Sequence, residues 1–337
     1  MLRNRQMKIH YVTGSRADFG LMETCLQTMH ADTRLDVALA VTGQHMLVHY
    51  GNTHQDIRNA GLPIAIEIPV ALSGKGSAEM GFALADELTG FLNAWQKDRP
   101  DMVLVLGDRG EMLAATLAAI HLGIFVGHLH GGERSGTLDE SFRHAISKLA
   151  HFHFPATQDA AIRLQEMGED PSHIHVVGAP GLDGLTQNTA KTPAALKDNF
   201  DFEKDQDVAL VVYHPVVQQA DKAADEIKCL VETLAANDIS QIILRPNSDA
   251  GGKMIDAYLD GLSGDPNVAV CTHLARAEFL NTLASCDVMI GNSSSGIIES
   301  ASFKVPCINI GSRQNKRLRN SNTVDCPDIT AAQLEDA

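Results

Sequence analysis

Gly291-Asn292-Ser293-Ser294-Ser295-Gly296 follows the apolar run Val288-Met289-Ile290 and precedes a helix-like stretch, Ile297 to Phe303. A strand that ends in small polar residues and feeds a helix makes an anion site. The first helical N–H groups lack intrahelical partners, and the helix dipole puts partial positive charge there. Three hydroxyls add donors for phosphate oxygens. Glu299, one turn further, is placed to accept from sugar hydroxyls. The chemistry expected is the grip of a diphosphate and its ribose, although the same residues also suit a serine N-cap on an ordinary helix.

Other polar clusters fall just after apolar runs in the same way. They are Thr13-Gly14-Ser15-Arg16-Ala17-Asp18, Thr42-Gly43-Gln44-His45, Gly107-Asp108-Arg109, His130-Gly131-Gly132-Glu133-Arg134, Tyr213-His214-Pro215 and Arg245-Pro246-Asn247, with Asp139-Glu140-Ser141-Phe142-Arg143-His144 close behind. A cation before a helix start opposes the dipole unless an anion sits there too, so Arg16 reads as a phosphate contact. Asp108 beside Arg109 is either a surface ion pair of little worth or an acid–base group at a strand mouth. His130 gains weight from the carboxylates around it, at Asp108 and from Glu133 to Glu140. His144 and His151 read as structural, and His153 as core.

Several classes of chemistry find no support. The formal charge is −15, with 27 basic and 42 acidic residues and no basic stripe, so nucleic acid is not the expected partner. Among 15 histidines there is no H-E-x-x-H and no Cys/His spacing suited to zinc, so no metal is expected. No Walker A, strict G-x-G-x-x-G or G-x-S-x-G occurs, which favours a nucleotide-sugar over ATP or NAD and implies no cofactor. Six cysteines without a C-x-x-C pair read as reduced thiols of a cytoplasmic protein. Met1 to Gln6 is too short and polar for a secretory signal and reads as a loose leader, and no run reaches membrane-spanning length.

The elements that must position these residues alternate. Candidate strands are Ile9–Thr13, Asp36–Val41, Ile64–Ile68, Met102–Leu106, Ile124–Leu129, Phe152–Ala156 and Ile174–Val177, separated by helical patterns such as Leu21–His30, Ser77–Gln96 and Glu111–Leu122. After a stretch rich in Gly, Pro, Thr, Asn and charge, strands resume at Val208–Tyr213, Gln241–Leu244, Val268–Cys271, Val288–Ile290 and Cys307–Ile310. Helices Ala220–Ala236, Lys253–Leu262, Ala275–Ser285 and Ile297–Phe303 lie between them. This predicts an α/β chain of two doubly wound, Rossmann-like domains, 1–184 and 185–337, with a ligand in the cleft between them.

The ordered segments Gly14-Ser15-Arg16-Ala17-Asp18-Phe19-Gly20, Val41-Thr42-Gly43-Gln44-His45, Tyr50-Gly51-Asn52-Thr53, Gly107-Asp108-Arg109, Gly131-Gly132-Glu133, Phe142 to Lys148, His214-Pro215, Pro246 to Gly251, Gly291 to Gly296 and Gly311-Ser312-Arg313-Gln314 together resemble the hydrolysing UDP-N-acetylglucosamine 2-epimerases of sialic-acid-type sugar synthesis. Each is weak alone; order and spacing over nearly the whole chain make the match. The resemblance implies the glycosyltransferase B architecture, with the nucleotide held mainly by the second domain. Ser293 and Ser294 would meet the diphosphate, Glu299 the ribose, and Asn247 and His273 the nucleoside side. Arg16, Arg109, His214 and Arg313 would surround the phosphates, with His45 among the substrate-binding groups. The implied reaction removes the C2 proton and expels UDP, giving a 2-acetamidoglycal, then adds water at C1 and reprotonates C2 on the other face. Asp108 and Asp139 are the expected proton carriers, with Glu140 in reserve and His214 assisting the leaving group. The resemblance allows a homodimer.

Two departures stand out. Many relatives have glutamate where this chain has His130. Histidine can do acid–base work because its pKa lies near neutrality. The family has branches with histidine here, some acting on nucleotide-linked N,N'-diacetylbacillosamine on the route to legionaminic acid. N-acetylglucosamine is the first expectation for the sugar, and UDP- or GDP-linked diacetylbacillosamine the alternative. A non-hydrolysing epimerase, a glycosyltransferase and a non-catalytic sensor are the other readings. Relatives also continue past a point like Thr330 with a long helix, whereas here Ile329 to Glu335 begins one and the chain stops at Ala337.

Overall fold

The computed structural model describes residues 5–47, 53–71, 77–135, 138–186, 189, 192–216, 221–246 and 251–337. The chain forms two compact units, with the main division between Asp183 and Gly184.

The first unit is a six-stranded parallel sheet. Its strands are β1 (Met7–Thr13), β2 (Leu35–Val41), β3 (Ile64–Glu67), β4 (Met102–Leu106), β5 (Phe125–Leu129) and β6 (Phe152–Phe154), in the order β3-β2-β1-β4-β5-β6. Helices α1 (Arg16–Ala31), α2 (Thr53–Asn59), α3 (Ser77–Trp95), α4 (Gly110–His121), α5 (Leu138–Leu149) and α6 (Gln158–Glu166) connect and flank it. β4 is buried at every residue, as a strand covered on both faces must be. One core packs Phe91, Trp95, Met112 and Ile146 against Val103 and Val105. The other packs Phe19, Met22 and Leu26 against Tyr11, Leu39 and Leu104.

The second unit repeats the plan. After α7 (Pro193–Asn199) come β7 (Val208–Val212), α8 (Ala223–Ala236), β8 (Ser240–Leu244), α9 (Gly252–Asp260), β9 (Val268–Cys271), α10 (Arg276–Ser285), β10 (Val288–Gly291), α11 (Ser294–Ile298), β11 (Cys307–Ile310), β12 (Thr323–Cys326) and α12 (Ala331–Asp336). The parallel order is β12-β11-β10-β7-β8-β9. Both sheets therefore reverse direction at one point, between β1 and β4 and between β7 and β10. The crevice outside the carboxyl ends at such a point is where doubly wound sheets take ligands.

Three expectations need correction. Residues Ile174–Val177 do not form a strand; only a single bridge joins Ile174 to His153. The Val177 N–H does reach the Pro155 carbonyl, but proline has no N–H to return the bond. Helix α1 begins at Arg16 rather than Leu21, because Ser15 and Asp18 form a capping box that starts it five residues earlier. The helix expected over Ile297–Phe303 starts at Ser294, ends at Ile298 and tightens into a 3₁₀ turn over Ser300–Phe303. Among the described residues no helix is long and apolar enough to cross a membrane.

Candidate active site

In the first unit the site is built where β4 and β5 end. β4 delivers Gly107-Asp108-Arg109. The turn is fixed from below by His128 of β5, whose Nε2 lies 2.8 Å from the Gly107 carbonyl and whose Nδ1 lies 3.1 Å from Ser147 Oγ. Burial pushes this imidazole down to about 3, so it is neutral and structural.

Asp108 is 21% exposed, so its carboxylate is accessible. The adjacent Asp108 and Arg109 each have a partner further along the chain. Arg109 Nε donates to Glu111 Oε1 at 2.7 Å, while Asp108 accepts from Arg143. Arg143, on α5, is the hub. Its guanidinium is 1% exposed and also donates to Glu133 Oε2 at 3.2 Å and to the His130 carbonyl at 3.1 Å. Burial lowers the Arg143 pKa, but the Asp108 and Glu133 charges outweigh it and hold the group above its ordinary value, with Asp139 contributing.

His130 sits in the left-handed region with φ +58°. Its ring is buried, its Nδ1 lies 2.7 Å from Glu133 Oε1, and its Nε2 has no hydrogen-bond partner among the described residues. Glu140 lies 4.0 Å from His144 on α5. The structure thus gathers Asp108, His130 and Asp139 around one buried cation. Neither Arg143 nor the bond from Glu133 to His130 had been singled out from the sequence. The remaining clue was Arg143 itself, four residues after Asp139 and therefore on the same helix face.

At the end of β1, Asp18 is buried and accepts from Thr13 Oγ1, from Ser15 N and Oγ at 2.7 Å each, and from Gly14 N at 3.3 Å. Burial raises its carboxyl to about 6, against these hydrogen bonds. Arg16 opens α1 and is half-buried. His45 has both ring nitrogens engaged, Nε2 at 3.0 Å from Thr13 Oγ1 and Nδ1 at 3.0 Å from Thr53 Oγ1. Its visible work is to join the ends of β1 and β2.

In the second unit the hub is Asn292. Its Oδ1 accepts from the His214 N–H at 2.8 Å and its Nδ2 donates to the His214 carbonyl at 2.7 Å. The Asn292 carbonyl accepts from Arg313 Nη1 at 3.2 Å and Gln314 Nε2 at 3.0 Å. The ends of β7, β10 and β11 are thereby tied together, which brings His214, Ser293 and Arg313 to one mouth. Ser293 is the N-cap of α11, accepting from Ser295 N at 3.4 Å and pairing with Ser295 Oγ at 2.8 Å. Ser294 is the first helical residue and half-buried.

Glu299 is 2% exposed and takes an ion pair from Arg276 of α10. Burial raises its carboxyl, and Arg276 opposes that rise. His273 is half-buried just past β9. Arg245 is tied to Asp256 at 3.0 Å and Asp260 at 2.5 Å. Asn247 lies outside the described residues. Among the described residues no group of three or more His, Cys, Asp and Glu is gathered as metal ligands would be.

Comparison with known proteins is decisive for the family. The model of the UDP-N-acetylglucosamine 2-epimerase family matches residues 27–335. The chain belongs to that family. Across 323 residues it is 47% identical to the UDP-N,N'-diacetylbacillosamine 2-epimerase (hydrolyzing) of Legionella pneumophila, covering 96% of this chain and 85% of the relative. It is 32% identical over 310 residues to a Neisseria meningitidis UDP-N-acetylglucosamine 2-epimerase, covering 92% and 81%. The crystal structure of a Neisseria meningitidis UDP-GlcNAc 2-epimerase bound to UDP-GlcNAc superposes with a TM-score of 0.79 at 17% identity, over 98% of this chain and 90% of that one. At that identity the likeness speaks for the epimerase fold, two parallel six-stranded α/β sheets of the glycosyltransferase B type.

Proposed function

We propose that this epimerase-family chain hydrolyses UDP-N,N'-diacetylbacillosamine with inversion at C2, releasing UDP and the free epimeric sugar. The observation that carries the proposal is the cluster at the mouths of β4 and β5. There Asp108, His130 with Glu133, and Asp139 surround the buried Arg143. The C2 proton is barely acidic, so its removal needs a base held against it. Asp108, accessible and paired with Arg143, and His130 are the acid–base groups gathered there. Departure of the diphosphate needs stabilisation of charge, which Ser293, Ser294, His214 and Arg313 are grouped to supply in the second unit.

N-acetylglucosamine was the first expectation from sequence. The 47% identity to a diacetylbacillosamine enzyme, against 32% to an acetylglucosamine enzyme, favours the alternative. The histidine at position 130 agrees with it.

Incubation with UDP-N,N'-diacetylbacillosamine and with UDP-N-acetylglucosamine in deuterated water, followed by NMR, tests this. The expected result is free UDP and an inverted sugar carrying deuterium at C2, formed faster from the diacetylbacillosamine substrate. Deuterated but intact nucleotide-sugar would point to a non-hydrolysing enzyme, and faster turnover of the acetylglucosamine substrate would restore that sugar.

A further inference from the structure

We infer that Glu133 is a positioning residue that fixes the tautomer of His130 and makes Nε2 the atom that takes the C2 proton. The inference rests on the function proposed above and on which atoms of this cluster can donate a hydrogen bond. Arg143 can only donate, and it donates to Glu133 Oε2 at 3.2 Å and to Asp108. With a buried guanidinium beside it, Glu133 is an ionised carboxylate, and both its oxygens are acceptors. The group 2.7 Å from Glu133 Oε1 must therefore donate. That group is His130 Nδ1, so the ring proton is on Nδ1. In the neutral ring Nε2 is then a bare acceptor.

Nε2 is also the end of the ring that no group among the described residues satisfies, although His130 is 5% exposed. A buried acceptor without a partner is costly to keep. Here it lies at the strand mouth where Asp108 and Asp139 also gather. The ring is anchored twice more through its own main chain. The His130 N–H donates to the Phe154 carbonyl at 3.1 Å, and the His130 carbonyl accepts from Arg143. The left-handed turn folds Glu133 back onto a residue three positions earlier. One arginine thus sets the charge of Asp108, the charge of Glu133 and, through Glu133, the protonation pattern of His130.

In the elimination Nε2 accepts the proton from C2. The C2–H electron pair becomes the C1–C2 double bond, and the C1–O pair leaves on the diphosphate. In the hydration a carboxyl group on the opposite face protonates C2. Water supplies the hydroxyl at C1 and returns its other proton to that carboxylate. The imidazolium of His130 gives its proton to solvent once the sugar has left.

The same donors and acceptors fix the outcome of Glu133→Gln. Arg143 requires an oxygen, so the amide turns its oxygen to Arg143 and its NH₂ to His130. An NH₂ donating to Nδ1 moves the ring proton to Nε2 and removes the base, with little change of shape. The test combines kinetics with ¹⁵N-histidine NMR of the full-length protein, the His130 signals being assigned by their loss in His130→Gln.

In the wild type, His130 is expected to show a protonated Nδ1 and a bare Nε2. In Glu133→Gln the proton moves to Nε2. kcat falls on the order of 100-fold while KM stays within about threefold. Glu133→Asp should restore the wild-type tautomer and part of kcat. In a His130→Glu background, Glu133→Gln should cost far less than in the wild type, because no tautomer remains to be set. A wild-type ring protonated at Nε2, or a Glu133→Gln enzyme with kcat within threefold of the wild type, would overturn the inference. If neither nucleotide-sugar is turned over, the functional proposal fails, and the NMR result still decides whether Glu133 sets the ring.

Discussion

Asn292 and His214 hold each other through two hydrogen bonds, the asparagine amide accepting from the histidine N–H at 2.8 Å and donating to its carbonyl at 2.7 Å. The side chain of one strand end thus sets the main chain of another, since Asn292 follows β10 and His214 follows β7. Asn292→Ala leaves both His214 groups without that partner at a 1% exposed position. Loss of about 2–3 kcal/mol of stability is expected by urea denaturation, with UDP affinity by calorimetry falling about tenfold. Unchanged affinity would mean that the geometry of His214 does not matter to the nucleotide.

Asp108 and Arg143 separate chemistry from stability. Asp108→Asn keeps the shape and removes the charge. Turnover should drop by roughly 10²- to 10⁴-fold, with UDP binding largely intact. Normal turnover in that variant would remove Asp108 from the acid–base assignment. Arg143→Met instead strands Asp108 and Glu133 beside a buried apolar group, with a cost of about 3–5 kcal/mol. Thermal unfolding should then report a much lower Tm, whereas Asp108→Asn should shift it little.

Gly291 has φ +143° at the end of β10, and a Cβ there would run into the Val212 carbonyl of the neighbouring strand. That obstacle is backbone and cannot swing aside. Gly291→Ala should cost more than about 3 kcal/mol, read as loss of soluble folded protein or of the cooperative transition in circular dichroism. Gly81→Ala, where a Cβ meets nothing within 4 Å, is the control and should fold normally.

Glu87 supplies the pH prediction. Burial, with the Glu111 charge second, raises its carboxyl from the ordinary 4.5 to about 8. Thr42 Oγ1, which also donates to the Ile68 carbonyl at 3.0 Å, donates to Glu87 Oε1 at 3.1 Å and opposes that rise without cancelling it. The folded state therefore keeps a proton that the unfolded chain releases above about 4.5. The stability this group contributes is full below that pH and is lost as pH rises through about 8. Glu87→Gln should flatten the fall of Tm between pH 5 and 8, roughly the window set by the two values. A parallel fall in both proteins would show that Glu87 is ionised in the fold.

Much of this was legible in the sequence because the fold writes itself there most plainly where strands are buried on both faces. Met102–Leu106, buried at every residue, was read with the bounds observed. Thr323–Cys326 was not, because it is a short edge strand with two exposed residues and holds to β11 through main-chain pairing. The clustering of polar residues after strands was likewise visible. What joins them was not. Arg143 is 35 positions from Asp108, and only tertiary packing shows that its guanidinium is buried against that carboxylate. Glu133 counted only as one of several carboxylates near His130, because sequence does not show that residue 130 takes the left-handed conformation that brings the two side chains together.

That conformation has a consequence for engineering. A non-glycine residue at φ +58° gives up on the order of 1 kcal/mol relative to glycine. A stability screen at position 130 would thus be drawn toward the residue with no ring, and its most heat-resistant hits should be its least active ones.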